Sequence, residues 1–92
     1  MNQQMNQQIN QQAQQIIDYI LKEIIRRPGV DIREDTPLVS SGLIDSLALI
    51  NILLHVEDVT HMRIPAGKVQ PKDMDTVNFM LATAQRLGKP QK

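Results

Sequence analysis

Apolar positions in this chain recur at helical spacing in three separate stretches, and nowhere with the alternation of a strand. In the first stretch Met1, Met5, Ile9, Ala13 and Ile17 repeat every four residues through a degenerate MNQQ-MNQQ-INQQ-AQQ tract. Such a stripe drifts slowly around a helix. It strengthens at Ile16, Ile17, Ile20, Leu21, Ile24 and Ile25, which predicts a helix over about 11–26 with a frayed extension toward the N-terminus. Residues 1–15 are rich in amides and offer little apolar surface to offset the entropy of ordering. A solvated, mostly passive tail is expected there in preference to a self-association element. Arg26 and Arg27 complement the negative end of the helix, and Pro28-Gly29 stops it.

The second stretch predicts a helix over about 46–60, with more aliphatics than a core needs. At 100° per residue Leu49, Ile52, Leu53, Val56 and Val59 share the inward face. Leu47, Ile50 and Leu54 fall on the opposite side, near Asn51, Asp58 and His61, and form a small apolar patch suited to docking a partner. The third stretch, from Asp73 or Met74 to Leu87, turns Met74, Val77, Met80, Leu81, Ala84 and Leu87 inward, with Asp73 and Asp75 suited to its start.

Between these helices the connections are unequal. Residues 28–45 contain turn formers, but also the aliphatics Val30, Ile32, Leu38, Val39, Leu43 and Ile44, so this loop is expected to pack across the domain with a helical turn near 37–40. Residues 62–72 are broken by Ile64-Pro65, Ala66-Gly67 and Pro71, leaving room for one short helix around 66–69. The fold predicted is all-α, a small four-helix bundle of three long helices and one short one, with no strand. The expected carrier of that fold is 16–88, flanked by the tail 1–15 and a short C-terminal tail, 89–92.

Composition then removes several functions. The 92 residues support one modest core. With no cysteine there is neither a disulfide nor a thiolate metal site. One tyrosine (Tyr19), one phenylalanine (Phe79) and zero net charge argue against nucleic-acid binding. No leader-like or membrane-spanning run is visible, so a soluble, cytoplasmic monomer without membrane insertion is expected. The charge is unevenly spread: Asp31 to Asp58 holds six acids against Arg33 alone, so the middle of the chain presents a mildly acidic surface. His55, Asp58 and His61 share a helix face, but their spacing matches no established metal-ligand pattern, and no metal is expected. Nothing resembles a catalytic triad or a glycine-rich phosphate loop, so the chain is not expected to be an enzyme.

The remaining chemistry lies in Gly42-Leu43-Ile44-Asp45-Ser46-Leu47. Asp45 and Ser46 stand where the second helix begins, and either side chain could cap it. If Asp45 caps, the Ser46 hydroxyl lies at the positive end of the helix dipole, a favourable place for a phosphate. The turn, the Asp-Ser-Leu motif, the over-apolar helix, the anchored loop before it and the proline break after it together resemble the acyl carrier protein superfamily, over about 16–87.

That resemblance implies a 4′-phosphopantetheine arm on Ser46, with Asp45 as the acid recognised by a phosphopantetheinyl transferase. It also implies docking through Leu47, Ile50, Leu54, Glu57 and Asp58. The cargo would be an acyl or aminoacyl thioester, loaded by a ligase or synthetase and delivered to a transferase or synthase. Two residues separate Gly42 from Asp45, where the fatty-acid form Leu-Gly-Ala-Asp-Ser has one, and Ala48 and Asn51 stand where acids would be expected. With Ile64-Pro65, this looks more like the D-alanyl and other stand-alone aminoacyl or specialised carriers. The rival expectation is an unmodified helical interaction module that binds through the apolar patch.

Overall fold

The computed structural model describes residues 3–90, with side-chain surroundings from Gln11 onward. Three helices carry it: α1 (Gln3–Tyr19), α2 (Ala48–Thr60) and α3 (Val77–Leu87). A π-helical turn, Ile20–Ile25, continues α1. Two 3-10 segments, Ala66–Lys68 and Pro71–Met74, lie between α2 and α3. An antiparallel ladder pairs β1 (Met62–Arg63) with β2 (Lys89–Pro90). The architecture is therefore mostly helical with a minimal two-stranded sheet, and two 3-10 segments stand where one short helix was expected.

The ladder corrects the expectation that no strand forms. Two residues a side are too few to write an alternating pattern into the sequence. What permits the pairing is Gly88, whose N–H donates to the Ala84 carbonyl at 2.8 Å. A Cβ at this position would meet that carbonyl oxygen and the Met62 Cβ, so only glycine lets the chain leave α3 this close to Met62.

Helix α1 starts well before the expected Gln11, and the amide-rich repeat is helical from Gln3 onward. Met1 lies outside the described residues, as do the side-chain surroundings of Met5 and Ile9. From Ala13 the inward stripe is clear: Ala13, Ile16, Ile17 and Ile20 are all buried. The π turn then lengthens the repeat to five, so that Ile25 follows Ile20 into the core and Ile24 is only half-buried. Arg26 closes the turn in the left-handed region (φ 57°), its N–H reaching back 3.0 Å to the Leu21 carbonyl. Against this stripe pack Ile52, Leu53 and Val56 of α2 and Val77, Met80, Leu81 and Ala84 of α3. Burying each of the larger side chains contributes roughly 1.5–3 kcal/mol. Leu49, Val59 and Leu87, also expected inward, are half-buried at the margins.

The long first connection does cross the core, burying Ile32, Leu38 and Ile44 and half-burying Val30, Val39 and Leu43. Instead of a helical turn near Pro37 to Ser40 it forms a reverse turn, closed by the Gly42 N–H on the Val39 carbonyl at 3.1 Å with Gly42 at φ 82°. Helix α3 begins later than its aspartates suggested, at Val77, because Thr76 is the cap: its Oγ1 accepts from the Phe79 N–H at 3.0 Å. Asp73 serves the preceding 3-10 segment, accepting from the Gln70 N–H at 2.9 Å. Asp75 turns away from α3 altogether, toward the long connection.

Candidate functional site

The entry to α2 is built as one tight turn. The Ala48 N–H donates both to the Asp45 Oδ1 at 3.0 Å and to the Asp45 carbonyl at 3.2 Å, and the Leu49 N–H donates to the Ser46 carbonyl at 3.3 Å. Asp45 thus caps the turn that enters α2, adding a second acceptor to the Ala48 N–H and placing a carboxylate at the positive end of the helix. Ser46 is left exposed, and no group among the described residues hydrogen-bonds its hydroxyl. The chain's other two serines are engaged: the Ser40 hydroxyl donates to Asp75 Oδ2 at 2.8 Å, and the Ser41 hydroxyl to the Pro37 carbonyl at 2.6 Å.

Beside Ser46 opens a cavity of about 160 Å³ between α2 and the 3-10 segments. Leu49, Ile50, Leu53, Ala66, Val69, Pro71 and Met74 line it, with Gln70 and Ser46 as the polar members. No carboxylate or cation lines it. Of the inward residues Ile52, Leu53 and Val56, Leu53 reaches it, while Ile52 and Val56 are spent in the core. Met74 and Pro71 were not anticipated in this wall. Pro71 opens and Met74 closes a 3-10 segment that the sequence pattern did not show.

Leu47, Ile50 and Leu54 share an outward face of α2, with 81%, 65% and 57% of their surfaces exposed. Asp58 is also exposed and lies at the far end of that face. Glu57 is placed differently: its Oε2 accepts from the Ile64 N–H at 2.7 Å, which ties the end of α2 to the chain after β1. On the α1 side, His55 stacks flat on Tyr19, ring centroids 4.1 Å apart and planes within 10°. A cleft of about 540 Å³ runs past this pair, bordered by Asp18, Lys22, Glu23, Asp58 and His61. Among the described residues no three His, Cys, Asp or Glu side chains converge as a metal site.

A comparison with protein families matches residues 14–78 to the phosphopantetheine attachment site family. The chain belongs to that family. As a carrier of the acyl carrier protein superfamily it bears a covalently attached 4′-phosphopantetheine and performs no catalysis of its own. Neither the curated proteins nor the solved structures give a match. The residues present fit the prosthetic group. The carrier offers an unengaged hydroxyl at a helix N-terminus, where a phosphodiester is favoured, and an apolar cavity alongside. Carriers of this family are charged by a phosphopantetheinyl transferase and work with synthases. No helix among the described residues is long and apolar enough to cross a membrane.

Asp75, which the sequence suggested for the start of α3, serves the approach to this site instead. Its Oδ1 accepts from the N–H groups of Val39 and Ser40 at 2.8 and 2.9 Å, and from that of Leu38 at 3.2 Å. The Ser40 N–H is the foremost of the donors that hold the Asp75 carboxyl below its ordinary value; burial opposes them, and the Ser40 hydroxyl and the Val39 and Leu38 N–H groups assist. An aspartate directly before a capping threonine is redundant as a cap, and that redundancy was the available signal.

Proposed function

We propose that the arm is attached to Ser46 and that Asp45 fixes the serine's turn for the phosphopantetheinyl transferase. The observation that carries this reading is the division of labour at the helix start: Asp45 caps, while Ser46, alone among the chain's serines, keeps an exposed and unengaged hydroxyl. The transferase attaches the arm through a phosphodiester to that hydroxyl. The arm supplies a terminal thiol that holds the cargo as a thioester, which gives a cysteine-free chain its reactive sulfur. Leu47, Ile50, Leu54 and Asp58 form the face presented to a loading ligase or synthetase and to a downstream transferase or synthase. Glu57 supports that face from behind through Ile64.

The cavity supports a small cargo. Its volume accommodates a few carbons, and its lining has no carboxylate to accept an ammonium group. A short, specialised acyl group suits it better than a long chain, and an aminoacyl group would keep its charged end outside. With the Gly42 to Asp45 spacing, this favours a dedicated stand-alone carrier over bulk fatty-acid synthesis. In this reading 16–88 is the carrier domain of a cytoplasmic monomer, and Pro71–Met74 stands for the fourth helix of the bundle.

The test is an intact mass after incubation with coenzyme A and a broad-specificity phosphopantetheinyl transferase. The protein is expected to gain one phosphopantetheine and Ser46→Ala none. A gain that persists in Ser46→Ala moves the attachment elsewhere, and no gain in the wild type overturns the reading.

A further inference from the structure

Asp75 stands at the head of a chain of hydrogen bonds that ends at Ile44, two residues before the serine. Its carboxylate gathers the amides of three consecutive residues, Leu38, Val39 and Ser40, and accepts the Ser40 hydroxyl on its second oxygen. Its own carbonyl accepts from the Leu38 N–H as well, at 2.7 Å. Leu38, fully buried, passes the constraint on: its carbonyl accepts from the Ile44 N–H at 3.1 Å and from the Ser41 hydroxyl at 3.3 Å. Ile44 is buried and adjoins Asp45, whose carboxylate caps α2 with Ser46 as the next residue. On the other side Asp75 follows Met74, which is buried and walls the cavity beside Ser46. One side chain therefore ties the serine's turn to the segment that forms the cavity wall, across 29 positions of sequence between Asp75 and Ser46.

We infer that Asp75 is a positioning residue for the attachment serine: through Leu38 and Ile44 it sets where Ser46 stands relative to α3 and the cavity. This rests on Ser46 being the attachment point. The residue touches neither the serine nor the arm. Several observations separate the role from general support of the fold. Thr76 already caps α3, the Leu38, Ile44 and Met74 side chains already fill the core, and the Asp75 carboxylate is spent entirely on the turn that leads to Ser46. Three amides converging on one carboxylate hold a loop more narrowly than apolar contacts alone, because a hydrogen bond constrains direction as well as distance.

The experiment compares the wild-type chain, Asp75→Ala and Asp75→Asn in two measurements. Asparagine keeps an oxygen for the three amides and alanine keeps none. The first measurement is native-state amide hydrogen exchange, read at Ile44 and Ala48 for the serine's turn and at Val56 and Met80 for the core. Asp75→Ala is expected to accelerate exchange at Ile44 and Ala48 by about tenfold or more, with Val56 and Met80 little changed, and Asp75→Asn to restore most of the protection. Unchanged exchange at Ile44 and Ala48, or equal acceleration at all four, overturns the inference. The second is the rate of loading by the transferase, at a temperature where circular dichroism shows all three chains folded. KM is expected to rise by about fivefold or more in Asp75→Ala, with kcat within about twofold, as when only a fraction of the substrate has its serine in place. Wild-type loading parameters in a folded Asp75→Ala also overturn it. If the wild type takes no arm, the attachment reading fails, while the exchange measurement still decides whether Asp75 orders this turn.

Discussion

Asp45, Asp73 and Asp75 all accept from backbone amides, yet each does so for a different piece of chain. Asp45 reaches forward three residues and starts α2, Asp73 reaches back three to Gln70, and Asp75 reaches across 35 to 37 positions to the first connection. Short-range caps of this kind can be read from sequence, because the acceptor and its donor lie within one turn. The Asp75 contact cannot, since nothing near it in the chain announces Leu38 to Ser40. Its charge state yields a pH prediction. In the folded protein the carboxyl ionises below its ordinary value of 3.8, so its contribution is complete above that value and fades as pH falls through the lower, folded one. Acid unfolding followed by circular dichroism should therefore show Asp75→Asn losing less stability than the wild type between pH 4 and the acid limit of about 2, and the two should differ by a constant amount near neutrality. Parallel curves through the acid range would mean that the carboxylate is not held by these amides.

At the scale of the helix, α2 is legible because it serves two masters. Its inward residues Ile52, Leu53 and Val56 are buried, and Leu47, Ile50 and Leu54 stand out in solvent, as the 3.6-residue period requires. Leu54→Glu is accordingly expected to leave the thermal midpoint within a few degrees, while weakening a partner enzyme's use of the carrier by about tenfold, a loss near 1.4 kcal/mol. Thermal melts and steady-state loading check the two halves, and an unfolded variant would show that the residue packs inward. Elements whose form depends on remote partners were less readable. The π turn after Tyr19 follows from which isoleucines find room in the core, and both Ile24 and Ile25 satisfied the sequence pattern equally. The two-stranded ladder depends on the close pass of Gly88 over Met62, which no run of two residues can signal.

For the molecule as a whole, the three helices, the core and the serine's place could be read from residue pattern, whereas the cavity could not. A cavity is the space left over when segments far apart in sequence fail to close on each other, here α2 and the stretch from Ala66 to Met74. In the function proposed above, its size sets a limit on cargo. A carrier loaded with a butyryl group is expected to shelter it, slowing thioester hydrolysis relative to free butyryl-pantetheine by about threefold or more, while a decanoyl group overfills the space and gains less protection. Hydrolysis rates followed by mass spectrometry measure this, and equal protection of both chains would show that the 3-10 segments give way to admit the longer one.

The stack of Tyr19 on His55 has an optical consequence. This chain has no tryptophan and a single tyrosine, so emission excited beyond the absorption band of Phe79 arises from one ring, and that ring lies 4.1 Å from an imidazole at the seam between α1 and α2. The protein therefore carries a built-in fluorophore that reports a single helix contact, on the side of α2 away from the cavity.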